Sequence, residues 1–391
     1  MLNPEYIRLG TKRSAIRDLY EYGLRYQAEH GEGSVLDFSI GNPSVATPPA
    51  VRETISRLLG EVDVHGYTVA PGDLKVREQL CASLNRRFGG DFQPRHIYMT
   101  LGASAALAIT FGAITQEGDE IVLLAPYFPE YVVFAGGVGA RTVVVPMAED
   151  CNPDLDALER SIGPRTAAVV INSPNNPSGK VYDRATLEAI AALLKRKSAE
   201  VGHPIYIVSD EPYREIAYDG VEVTWIPSVY PDTIVCYSWS KCLSLPGERI
   251  GYIAINPQAA QADDLIPAVA GAGRSLGYVC AGSLFQRVVG QLPDVVCDVS
   301  IYQANRDLLY RGLSELGYQC VSPDGAFYLM VKSPWGDGQV FSDRAKALGL
   351  LVVPGASFGA PEWVRIAYCV PKERIAKALP LFAHLIEASK K

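Results

Sequence analysis

From residue 97 onward the chain alternates short apolar runs with helical patterns, and no other feature limits its fold so tightly. The runs are Ile97–Thr100, Glu120–Ala125, Thr142–Val145, Ala167–Asn172, Ile205–Asp210 and Ile234–Ser238. They are apolar along their length instead of alternating with polar residues, so both faces of each strand must be covered. That requirement predicts a mostly parallel sheet with helices on both sides. The last hundred or so residues differ, with Gly325–Val331 and Trp363–Tyr368 reading as alternating strands between helices. They predict a second, smaller α+β domain that shares its core with an amphipathic N-terminal helix, Ser14–Gly23, packing through Ile16, Leu19 and Tyr20. A length of 391 residues exceeds one ordinary core. The expected division is a large domain over 46–284 and a small one from 1–45 and 285–391.

Composition narrows the function classes. Hydrophobic residues make up 48% of the chain and charged ones 20%, the balance of a globular protein. A formal charge of −7 argues against nucleic acid or an acidic membrane as the main partner. The opening Met1–Arg8 carries no apolar signal core, and no stretch reaches the roughly 18 uncharged apolar residues of a membrane span, so a cytoplasmic protein is expected. Eight scattered cysteines show no metal-ligand or redox spacing, and they read as reduced thiols with no metal site.

Several apolar runs end on chemically able residues, where α/β sheets bind ligands. The segment Tyr237–Tyr252 sets Lys241 among hydroxyls directly after a strand, with Arg249 close behind. An amine must lose its proton to attack a carbonyl, and a second cation would help it do so; the same cation could hold a phosphate. Alone, this segment also reads as a surface lysine in a turn. Asp210 ends another run and Tyr213 follows three residues later, a pairing suited to a protonated pyridine nitrogen and a phenolate oxygen. Leu101–Leu107 opens an apolar helix whose amides at Ala103 and Ser104 could face a phosphate, or simply start an ordinary capped helix. Dinucleotide and nucleotide-loop motifs fail: Leu276 stands where a third glycine is needed after Gly271 and Gly273, and Val181 follows Gly179–Lys180 where Ser or Thr is required.

The ordered set Tyr67…Gly72, Gly102–Ser104, Pro126–Phe128, Asn175–Gly179, Asp210–Tyr213, Ser238–Lys241, Arg249–Tyr252 and Arg365–Tyr368 resembles the fold-type I pyridoxal-phosphate aminotransferases of the aspartate aminotransferase family, nearly end to end. The resemblance implies a seven-stranded, mostly parallel sheet in the large domain and pyridoxal 5′-phosphate as cofactor. It implies Lys241 as the residue joined to the cofactor as an internal aldimine, Asp210 as partner of the ring nitrogen, and Tyr213 and Asn176 at the ring's 3-oxygen. Phe128 is similar to the ring-stacking aromatic. Ala103, Ser104, Ser238 and Arg249 would form the phosphate cup, Ser240 would be a further cofactor contact, and Tyr67 would be supplied by a second subunit of a homodimer. Arg365 is similar to the arginine that grips the substrate α-carboxylate, helped by Asn176 and the Gly41 backbone.

By the same resemblance the reaction is a ping-pong transfer of an amino group from an L-amino acid, aspartate or glutamate first, to a 2-oxo acid. Aromatic or aliphatic amino donors remain open, as does a β-eliminating lyase of the same fold. A sensor that binds without turnover fits poorly with Lys241, Asp210, Tyr213, Arg249 and Arg365 all being present. Arg274 falls where dicarboxylate-specific relatives carry a second arginine donated across the dimer, and it reads either so or as a structural residue.

Overall fold

The computed structural model describes residues 1–11, 15–61 and 63–390. Twelve strands are defined among them: β1 (Leu36–Asp37), β2 (Ile97–Thr100), β3 (Glu120–Leu124), β4 (Arg141–Val145), β5 (Thr166–Asn172), β6 (Tyr206–Asp210), β7 (Thr233–Ser238), β8 (Gly251–Ile255), β9 (Tyr328–Lys332), β10 (Leu350–Leu351), β11 (Val353–Pro354) and β12 (Trp363–Ala367). Strands β2 to β8 form one sheet in the order β2-β8-β7-β6-β5-β3-β4. Pairings from β7 through β4 are parallel, while β8 runs antiparallel to both β7 and β2. All residues of β5, β6 and β7 are buried, as runs without a polar face require.

Helices cover both faces. The apolar helix Gly102–Ile114 packs against β7 and β8 through Ala106, Ile109 and Phe111, with Ala262–Ser275 outside it. On the opposite face Arg184–Val201 contributes Leu187, Ile190 and Leu194 to a core with β3, β5 and β6. The parallel order brings the C-terminal ends of β5, β6 and β7 side by side, with Asn172 opposite Asp210 and Asp210 opposite Cys236.

The three-stranded sheet β11-β12-β9 is antiparallel. Its core draws on Phe38 and Val45, on Tyr213, Ile216 and Tyr218, and on the helices Ser300–Glu315 and Lys372–Ala388. The segment after β6 that carries Tyr213, Ile216 and Tyr218 therefore packs into the core of the small sheet. The N-terminal helix is observed as Ala15–His30; its expected first residue, Ser14, lies outside the described residues. Leu19 is buried and Ile16 packs against Leu351, Val353 and Phe358 or their neighbours, but Tyr20 is 48% exposed. The inward stripe runs through Leu19 and Gly23, four residues apart, and Tyr20 lies about 100° around the helix from Leu19. All eight cysteines are free thiols, and no group of metal-ligating side chains occurs among the described residues.

Candidate active site

The C-terminal edge of β5, β6 and β7 positions the chemistry. Asp210 closes β6 and is buried. Its Oδ2 accepts from Tyr131 at 2.5 Å, and its Oδ1 has no partner. A buried carboxylate oxygen left without a donor asks for one from a ligand. Burial raises the Asp210 pKa to about 7, the Tyr131 bond opposes that rise, and Glu211 adds to it. Tyr131 escaped the sequence reading. It lies three residues beyond Phe128, at the start of the helix Glu130–Gly137, and the two rings meet edge to face at 5.6 Å.

Lys241 sits in the turn after β7, and its Nζ donates to the Gly41 carbonyl at 2.7 Å. Burial is the first reason that its pKa falls to about 8; Cys369 opposes the fall, and Arg365 and then Arg249 add to it. The sequence assigned that effect to Arg249, but Arg249 is exposed and water screens its charge. With a pKa near 8, roughly a tenth of the amine is free at pH 7, against well under a thousandth for an ordinary lysine. In the cofactor-free protein, trapping of Lys241 by an aromatic aldehyde and cyanoborohydride should therefore accelerate as pH rises to about 8 and then level off. Peptide mass mapping would locate the label; a rate still climbing tenfold per pH unit at pH 9 would contradict the depressed pKa.

Arg365 is held at the centre of β12, 2% exposed. Its Nη1 donates to Asn176 Oδ1 at 3.1 Å and its Nη2 to the Ser39 carbonyl at 2.6 Å, while Nε is unpartnered. The rings of Tyr328 and Phe358 flank the guanidinium at 4.6 and 5.0 Å. Asn176 is fixed in turn by its backbone N–H, which donates to Asn172 Oδ1 at 2.7 Å. Tyr213 is buried with its hydroxyl 3.0 Å from that of Tyr328. Asn172 Nδ2 also donates to the Asp210 carbonyl at 2.8 Å, so Asp210, Asn176, Arg365, Tyr328, Tyr213, Gly41 and Lys241 form one connected cluster.

A second feature lies at the start of the helix Gly102–Ile114. No side chain caps this terminus, so the amides of its first turn, including Ala103 and Ser104, remain available. The Arg249 guanidinium lies directly over Gly102: a Cβ there would meet Nη2 at 3.1 Å, and the φ of +79° also favours glycine. Arg249 itself adopts a left-handed backbone, φ 51°, after the turn from Leu245. Ser238 and Ser240 are buried beside this turn, with the Ser240 amide bonded to Ser238 Oγ at 3.3 Å. A cation beside an uncapped helix N-terminus fits a phosphate group. The unpartnered Asp210 oxygen fits a ring N–H, so the residues present suit the cofactor that the sequence implies.

Two expected residues do not join the cluster within this chain. Tyr67 is fully exposed, and Arg274 is exposed near the end of the helix Ala262–Ser275. Their surroundings are tied together, since Cys280 Sγ and Gln286 Nε2 both donate to Thr68 and Ser283 Oγ donates to the Val64 carbonyl. Tyr67, Val69, Leu276, Tyr278 and Val279 are all exposed on these tied segments.

Comparison with known proteins gives the family of the chain. The family described as Aminotransferase class I and II matches residues 33–380. The aspartate/prephenate aminotransferase of Thermus thermophilus is 35% identical over 88% of this chain and 89% of its own. An aminotransferase from Eubacterium rectale superposes with a TM-score of 0.98 at 47% identity, covering 100% of both chains. The Thermus thermophilus aspartate aminotransferase solved with maleate superposes at 0.84 with 30% identity, covering 98% of this chain and 99% of its own. The folded chain is an enzyme of amino-group transfer, and it belongs to the class I and II aminotransferases.

Proposed function

We propose that the chain binds pyridoxal 5′-phosphate through Lys241 and moves the amino group of an L-amino acid, aspartate or glutamate, to a 2-oxo acid. The observation that carries this reading is a pair of unmet buried groups in the same cluster as Lys241: the Asp210 Oδ1 and the Arg365 Nε. One suits a protonated ring nitrogen and the other a carboxylate. When bound, the cofactor supplies an aromatic ring that accepts electrons from the substrate α-carbon. The chain's own residues do the rest. Asp210 holds a proton at the ring nitrogen, Tyr213 and Asn176 address the ring's 3-oxygen, and Phe128 lies against the ring face. Ala103, Ser104, Ser238, Ser240 and Arg249 hold the phosphate. Arg365, with Asn176 and Gly41, orients the α-carboxylate, and the free Lys241 amine carries the proton to and from the α-carbon.

The dicarboxylate preference draws on the names of the Thermus relatives and on Arg274. Because Tyr67 and Arg274 are exposed and stand on neighbouring segments, both are assigned to the site of a partner subunit in a homodimer. In the proposed arrangement the large domain is 46–284 and the small one 1–45 with 285–391. No described helix is long and apolar enough to cross a membrane, and a cytoplasmic location is part of the proposal.

A half-reaction tests the reading. The purified holoenzyme, expected to sediment at twice 42.3 kDa, is mixed separately with aspartate, glutamate, tyrosine, alanine and leucine while the cofactor absorbance is followed. Stoichiometric 2-oxo acid without ammonia, fastest with aspartate or glutamate, is the expected result. Ammonia release would move the enzyme to elimination chemistry. Equal losses for aspartate and tyrosine in Arg274→Ala would remove that arginine from substrate choice.

A further inference from the structure

We propose that Tyr328 is a positioning residue whose hydroxyl donates to the hydroxyl of Tyr213, committing the single Tyr213 proton to the ring oxygen of the cofactor. The inference rests on the proposed role of Tyr213. Nothing in the sequence motifs marks Tyr328, which reads there as one more strand residue in Gly325–Val331.

The geometry begins with the two phenols. Both are buried, their oxygens are 3.0 Å apart, and their rings meet at 83°. Each phenol has one proton to give and lone pairs to receive with. On the side of Gly41 the Tyr328 oxygen is walled in: a Cβ on that glycine would stand 1.8 Å from it. Among the described residues Tyr213 is the one hydrogen-bond partner of the Tyr328 hydroxyl. If Tyr213 gave its proton to Tyr328, the Tyr328 proton would have no acceptor. The opposite direction satisfies both, with Tyr328 donating to Tyr213 and Tyr213 left to donate to the ring oxygen. Hydrogen bonds in such a chain polarise one another, so the second is strengthened by the first.

The strand register fixes this arrangement. Tyr328 pairs with Ala367 across β9 and β12, and Arg365 is its diagonal neighbour on the same face. The Arg365 guanidinium accordingly lies 4.6 Å from the Tyr328 ring centre. One strand pair thus presents both the carboxylate-binding arginine and the donor behind Tyr213. Tyr328 does not need to touch substrate or cofactor to act; it works through Tyr213.

The test is a visible-absorbance pH titration of the bound cofactor in wild type, Tyr328→Phe and Tyr213→Phe. A donor at the ring oxygen favours the form that has lost the proton shared with the Lys241 nitrogen, so losing the donor raises the midpoint. Tyr213→Phe should raise it by about 1 to 2 pH units. Tyr328→Phe should raise it by roughly half a unit, because only the reinforcement is lost. The other charged or titratable groups facing these side chains and Lys241, namely Arg365, Asp210, Tyr131, Cys369 and Arg249, are the same in all three proteins. Replacing Tyr328 by a fluorotyrosine, which is a stronger donor of nearly unchanged shape, should move the midpoint down, and this variant covers the case in which Tyr328→Phe folds poorly. A shift in Tyr213→Phe with none in either Tyr328 variant would reduce Tyr328 to packing while leaving the proposed function standing. No shift in any variant would overturn the role of Tyr213 itself.

Discussion

Lys241→Ala should lower kcat for amino transfer by at least about 10⁴-fold, since in the proposed reaction Lys241 is both the covalent attachment point and the base that moves the proton. The same change should leave the fold intact. The Lys241 side chain makes one described hydrogen bond, to the Gly41 carbonyl, and its cation is disfavoured by burial, so the cofactor-free variant should melt within a few degrees of wild type. Lys241→Arg separates two explanations. If the site needed only a positive charge facing Gly41, arginine would restore much of the rate. A guanidinium with a pKa above about 12 cannot carry a proton at neutral pH, however, and should be as inactive as alanine. Stopped-flow half-reactions on both variants decide this, and recovery by arginine to within tenfold of wild type would contradict a proton-carrying role.

The residues that the sequence revealed are those whose signal is local. Buried strands show as apolar runs, and β2 to β7 lie within a residue or two of the runs that predict them. Asp210 and Lys241 stand out because polar residues that end such runs have few purely structural uses. The strand β8 was harder to see: Gly251–Ile255 follows directly on the turn bearing Arg249, and its return is antiparallel, against the pattern set by its neighbours. Tyr131 and Tyr328 were illegible for a different reason. Each acts on another side chain from a distant part of the chain, with a sequence separation of 115 for Tyr213 and Tyr328, and periodicity carries no information on such pairs. The weight given to Arg249 in lowering the Lys241 pKa failed for the same cause, because burial is a property of the folded site.

Asp210→Asn should cost roughly 10²- to 10⁴-fold in kcat, the range set by uncoupling a buried charge pair worth about 3 to 5 kcal/mol. Asparagine keeps the shape of the side chain, and its carbonyl can still accept from Tyr131. Its amide would then stand where the free Oδ1 is, offering a proton to the ring nitrogen instead of stabilising one there. Stability should respond in the opposite sense. A carboxylate whose folded pKa is raised from 3.8 to about 7 binds a proton in the folded state that the unfolded chain has already released. The cofactor-free wild type must therefore lose stability as pH rises from about 4 to 7 on account of this group. Asp210→Asn removes that contribution, so denaturant titrations of the cofactor-free proteins should show the variant gaining on wild type as pH approaches 7. Parallel pH profiles would mean that Asp210 is already ionised and satisfied without a ligand, and its free oxygen would then no longer argue for a ring nitrogen at this site.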